Sequence, residues 1–243
     1  MAISRPFLIA LAALFALAPA GVAAERAEIS LIGFSADNRY FAFEEFGIQD
    51  GSGFAYSSIF IVDLVADSWP AGPFRIRADT EETTLTAIRS DALEQASGAL
   101  VNYAITEPPV MIALNGDGET GLDGLTLDFG IPGYSEPGHV FGDYSLSLEI
   151  FKSTSPQDCI AYLGDNPMGF ALLIASEGDI RDVHRDASIP NSRGCPTTYR
   201  IYGVAAPFWA NDLSAAVALV SVYAFGFEGV DRRFIALPLG ADF

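Results

Sequence analysis

From residue 29 onward, short runs of β-forming apolar residues alternate with turn residues. Ile29 to Phe34, Tyr40 to Phe46, Ser58 to Leu64 and Phe74 to Arg77 are rich in Phe, Ile, Val and Tyr. Asp37-Asn38, Gly51-Ser52-Gly53 and Pro70-Ala71-Gly72-Pro73 separate them, which predicts strands joined by tight turns. At Thr80 the period changes. Thr80 offers a cap, Glu81 and Glu82 suit the positive end of a helix, and Leu85, Ile88, Ala92, Ala96 and Leu100 recur at helical spacing, predicting one amphipathic helix over about 81–101. Strand-like runs then return at Val110 to Leu114, Leu125 to Phe129, Tyr144 to Phe151, Phe170 to Ala175, Tyr199 to Val204, Ala215 to Tyr223 and Arg233 to Leu239. The pattern predicts an all-β class: a mostly β chain with a single long helix. The stretch from Gly178 to Pro196 reads as loop, with Arg181, Arg185 and Arg193 as a local basic patch.

Residues 1–24 have another character. Arg5 precedes an apolar run from Pro6 to about Ala18, and small residues end in Val22-Ala23-Ala24. This is the order of a secretory signal cleaved after Ala24. The run is short of the roughly 20 residues that span a bilayer. The remainder, 25–243, carries no low-complexity linker and reads as one β-rich domain, placed by its signal in the periplasm or outside the cell.

Charge narrows the partners. There are 31 acidic and 13 basic side chains, for a net charge of −18. The first 24 residues hold one Arg and no acid, leaving 12 basic and 31 acidic groups beyond them. Such a surface repels phosphate backbones, and nucleic-acid affinity needs clustered Lys and Arg. Nucleic acid is therefore excluded, and the expected partner is a protein or a small molecule. Half the residues are hydrophobic, so the acidity does not signal disorder. The two cysteines, Cys159 and Cys195, are an even count behind an export signal and predict a disulfide.

The chain also carries an internal repeat. A shift of 175 residues places Trp209 on Phe34, Asp212 on Asp37, Gly226 on Gly51, Phe234 on Ile59 and Leu239 on Leu64. Each unit is an aromatic, an Asp-bearing turn, a strand, a Gly-containing turn and a second strand. The first unit, Phe34 to Phe43 followed by Ile59 to Leu64, resembles a blade of the TolB-like and WD-type β-propellers. In those blades the Asp makes the tight turn between two strands. Ala36 here replaces the usual Pro and Asn38 the usual Gly, a swap that Asn tolerates because it accepts positive φ. This resemblance implies a distorted propeller-like architecture, with a β-sandwich as the alternative. It also implies that the two end units are spatial neighbours, with Phe34 and Trp209 facing the interior and Asp37 and Asp212 in equivalent structural turns. The whole chain, from its signal through Gly33-Phe34-Ser35-Ala36-Asp37 to Phe225-Gly226-Phe227-Glu228-Gly229, resembles a bacterial family of predicted secreted proteins of unknown function. That resemblance implies export and points to no particular activity.

Candidate chemistry is sparse. Gly116 to Gly121 matches G-x-G-x-x-G, but Asp117 and Glu119 would repel a pyrophosphate and no helix start follows. Asn115, Asp117 and Glu119 alternate like the start of a calcium loop, making a weak Ca²⁺ site the one cofactor expectation. Ser135 lies in a near nucleophile elbow, with Pro137 where Gly belongs, and His184 is the histidine distant enough to serve as its base. Asp182, His184 and Asp186 would share one face of a strand, as metal ligands or as partners of Arg181 and Arg185. Glu44, Glu45 and Asp50 offer acids for glycoside chemistry. No catalytic set stands out, so the leading expectation is an exported binding or interaction protein. The alternatives are a periplasmic hydrolase of glycans or esters and an outer-membrane barrel whose last strand would run Ile235, Leu237, Leu239, Ala241, Phe243.

Overall fold

The computed structural model describes residues 24–117, 122–133, 135–226 and 228–240. Among them thirteen strands form three antiparallel sheets. The first sheet contains β1 (Glu28–Ser35), β2 (Tyr40–Ile48), β3 (Ala55–Asp63), β4 (Ser68–Arg77) and β5 (Ile105–Glu107), in the order β4-β3-β2-β1-β5. The middle sheet combines β6 (Pro109–Leu114) with β11 (Pro196–Pro207), β12 (Val217–Phe225) and β13 (Val230–Pro238), in the order β13-β12-β11-β6. The last sheet is a meander of β7 (Thr126–Pro132), β8 (Val140–Lys152), β9 (Met168–Ser176) and β10 (Asp179–Arg185). The long helix α1 is Leu85–Asn102, and a short helix α2 is Cys159–Leu163.

The elements stack face to face in the order α1, first sheet, middle sheet, last sheet. Ala92 and Ala96 of α1 lie on Ile59 of β3, and Ile88 packs with Ala55. Phe34, Phe41, Phe43 and Phe60 of the first sheet meet Val217, Leu219, Phe234 and Ala236 of the middle one. The opposite face of the middle sheet, including Val204, Ala218, Val220 and Leu237, packs on Leu146, Leu148, Phe170 and Leu172 of the last. A strand covered on both faces has no reason to alternate polar with apolar. Every residue of β3 is accordingly buried, as are the first six of β12, whereas the edge strands β4 and β10 are mostly exposed or half-buried.

The mostly β expectation holds, with differences of detail. Helix α1 starts four residues later than predicted, because the Thr84 side chain, not Thr80, accepts the Ala87 N–H at 3.2 Å. The predicted loop from Gly178 contains β10. Its charges hid it, but an edge strand with one face toward solvent carries charge readily and is protected by it from pairing with other chains. The expected terminal alternation of Ile235, Leu237 and Leu239 belongs to the core under the last sheet, while Ala241 and Phe243 lie outside the described residues, as does the 1–23 portion of the signal.

The repeat is visible in the sheets. Adding 175 to the bounds of β3 gives those of β13. Faces correspond as well: Ile59 and its counterpart Phe234 point toward the preceding layer of the stack, while Phe60 and Ile235 point toward the following one. The two units are therefore neighbours stacked in the same sense. Asp37 Oδ1 accepts the Arg39 N–H at 3.1 Å and Asp212 Oδ1 accepts the Ser214 N–H at 2.8 Å, but Asp37 sits in the short connection of Ser35 to Tyr40 and Asp212 in the longer one of Pro207 to Val217. Asn38 takes positive φ, 58°. The aromatic correspondence fails. Phe34 is fully buried but Trp209 is 70% exposed, because β11 ends at Pro207 and Trp209 falls in the turn beyond it.

Cys159 and Cys195 form a disulfide with Cα atoms 5.4 Å apart, tying α2 to the start of β11. Replacing both by Ser is expected to lower unfolding free energy by about 3–4 kcal/mol, from the unfolded-state entropy released with a loop of this span. Urea unfolding checks this, and the far-ultraviolet β signature of the folded variant should be unchanged.

Candidate functional site

Strands of the three sheets leave between them a cleft of about 670 Å³, within the range of small-molecule sites. Its first-sheet wall comes from β3 and β4 with Tyr56, Ser58, Phe60, Trp69, Arg75 and Arg77. β13 supplies Arg233 to Leu237, and the last sheet supplies His184 of β10 with Arg193 beyond it. Four of the twelve basic residues beyond residue 24 thus line one cleft of a strongly acidic chain.

The floor is an ion network between sheets. Glu45 of β2 is 4% exposed. Its Oε2 accepts the Phe234 N–H at 2.9 Å, a donor on the outer edge of β13, and its Oε1 lies 3.4 Å from Arg233 Nε. Arg233 also bonds the Tyr56 hydroxyl at 3.2 Å and the Glu25 carboxylate. Burial pushes the Glu45 carboxyl up to about 7, against the pull of Arg233, the Phe234 N–H and Arg75 and with the added push of Glu25. Burial also raises the Tyr56 phenol. Gly47 is opposite Tyr56 in the sheet, and a Cβ there would lie 2.9 Å from the Tyr56 hydroxyl, so the glycine makes room for that ring.

On the last-sheet side, Asp186 accepts from His184 Nε2 at 2.9 Å, from Arg193 Nη1 at 2.6 Å and from the Phe170 N–H at 2.9 Å. Burial acts to raise this carboxyl, but the three donors together hold it below the ordinary carboxylate range. On the first-sheet wall the guanidinium groups are freer. Among the described residues neither Arg75 nor Arg77 makes an ion pair. Arg75 sits 5.9 Å from the centroid of Phe60, whose ring packs against Trp69 at 5.4 Å.

The residues singled out from sequence are dispersed. Glu44 and Glu45, adjacent on β2, point to opposite faces: Glu44 takes a bidentate pair from Arg89 of α1, at 2.9 and 2.7 Å, so the two acids do not flank a common substrate. Ser135 contacts His139 at 3.3 Å, while His184 is bound to Asp186. A bulge between Asp182 and His184 breaks the expected alternation, and Asp182 pairs with Arg185. Asn115 donates to the carbonyls of Thr126 and Ile201 at 3.3 and 3.0 Å, and Asp117 pairs with the buried Arg232. Calcium at these two residues would have to displace those partners; Glu119 lies outside the described residues. The cleft residues Trp69, Arg75, Arg77, Glu45 and Arg233 were not assembled from sequence. The one signal was Arg75-Ile76-Arg77, two same-face cations in a chain that has few.

Among the described residues no helix is long and apolar enough to cross a membrane. Residues 42–239 match the model of a family described as "Predicted secreted protein (DUF2259)". A search of curated proteins found no match.

Proposed function

The chain belongs to that family of predicted secreted proteins, and from this premise we propose that it is an exported binding protein whose cleft takes a small amphiphilic anion, a carboxylate, sulfonate or sulfate joined to an apolar body. The observation that carries this reading is the juxtaposition, on β3 and β4, of Arg75 and Arg77, neither within ion-pair distance of a carboxylate among the described residues, and the aromatic pair Phe60 and Trp69. Guanidinium groups bind planar anions through paired donors, and aromatic faces receive both the apolar body and the cation itself. The acidity of the remaining surface confines anion binding to this cleft.

Anilinonaphthalene sulfonate, an aromatic sulfonate, tests the reading. It should bind saturably at neutral pH with one site per chain, and decanoate should displace it. Replacing both Arg75 and Arg77 by Ala should weaken binding at least about tenfold, the loss expected of one charge-assisted contact. Both residues are exposed, so unfolding midpoints should not move. Non-saturable fluorescence, or equal affinity in the double variant, would overturn the assignment.

A further inference from the structure

The segment that follows the signal is built into the sheet edge. Glu25 is 7% exposed; its carbonyl accepts the Arg232 N–H at 2.8 Å and its carboxylate binds Arg233. Ala27 is fully buried, and its carbonyl accepts from the Arg232 guanidinium at 3.0 and 2.8 Å. Most telling is the backbone nitrogen of Glu25, which lies 3.1 Å from Asp231 Oδ1. In the uncleaved chain that nitrogen is an amide.

We propose that Asp231 is a socket for a processed N-terminus: cleavage after Ala24 converts the Glu25 amide into an α-ammonium that pairs with Asp231 and thereby locks the Glu25 carboxylate onto Arg233 at the cleft floor. The step is a hydrolysis by a signal-cleaving protease. Water adds across the Ala24–Glu25 peptide, the C–N bond breaks, Ala24 leaves with the new carboxylate, and Glu25 keeps the amine, protonated at neutral pH. A hydrogen bond with a neutral amide donor thereby becomes an ion pair in a partly buried place, where it is stronger than at an open surface. Cleavage one residue later would remove Glu25 and leave Arg233 with Glu45 alone. Cleavage one residue earlier would move the positive charge past Ala24, away from Asp231.

Two chains with unblocked N-termini, one beginning at Glu25 and one at Ala24, make the test, each also as Asp231→Asn. The Glu25 form should melt about 2–4 °C higher than the Ala24 form, the shift expected for one such interaction in a chain of this length, and Asp231→Asn should abolish the difference. Acylation gives an independent readout. Lys152 is the sole lysine, so each processed chain has two primary amines, and Lys152 serves as the internal reference. The Glu25 amine should react more slowly relative to Lys152 in the parent than in Asp231→Asn. Equal midpoints for the two starts, acylation indifferent to Asp231, or an exported protein beginning at another residue would each overturn the proposal.

Discussion

Arg233→Ala is expected to destabilise the protein by about 3 kcal/mol at pH 8, because it leaves two buried carboxylates, Glu25 and Glu45, without their shared cation. The value belongs at the low end for a broken buried pair, since the Arg233 side chain is 35% exposed. The cost should also depend on pH, and its sign follows from Glu45. The folded-state value of that carboxyl is raised, to about 7, while in the unfolded chain it returns to about 4.3. A raised value means the folded state binds the proton more tightly. Its stabilising contribution is complete below about pH 4.3 and is lost as pH rises through about 7, by roughly 4 kcal/mol in all at about 1.36 kcal/mol per unit. Parent stability should therefore fall across this window, and Glu45→Gln should flatten it. Arg233→Ala should cost less at pH 5, where Glu45 is protonated, than at pH 8. Urea unfolding at the two pH values measures both. The depressed carboxyls of Asp63 and Asp186 act at lower pH, whereas burial raises the Asp67 carboxyl in the same cleft, so the difference between parent and Glu45→Gln isolates the Glu45 share.

Phe43→Ala is expected to cost about 3–5 kcal/mol, the range for emptying a large buried aromatic site. Phe43 is 2% exposed at the contact of the first and middle sheets, stacked 4.8 Å from Phe60 and 5.8 Å from Phe41. It does not line the cleft. Equilibrium unfolding should show the loss, while sulfonate affinity of the remaining folded protein stays within about twofold. Loss of binding in step with stability would mean that the cleft wall depends on this stack.

The strands were legible where packing demands apolar residues. β3 and β12 are buried on both faces and announce themselves as unbroken β-rich runs, and the 175-residue shift recovers the bounds of β3 and β13. What was not legible answers to tertiary position. β10 looks like a loop because it is an edge, and β5 is three residues long. Trp209 was expected inside because Phe34 is, yet its strand ends two residues before it. The cleft was hidden for a further reason. Its partners are far apart along the chain: Glu45 meets Arg233 only because the first sheet lies on the middle one, and Arg75 faces the same opening as Arg193. No local spacing encodes such a meeting. Sequence supplied the individual charges, and the stacking of sheets decided which of them would share a cavity.

The double coverage of β12 has a consequence for how the chain must be handled before it folds. Val217 to Phe225 contains no charge, and no residue in it is a proline. It gains shelter only when sheets lie on both of its faces, so a chain lacking either layer displays a strong β-aggregation segment. Asp212 on one side and Glu228 and Asp231 on the other flank the run with negative charge, the placement by which sequences discourage intermolecular pairing of an unavoidable apolar strand. The acidity of the chain thus also keeps unassembled chains apart. Glu228→Gln, which spares the Asp212 turn and the Asp231 contact, should shorten the time to visible aggregation during refolding while leaving the unfolding midpoint in place.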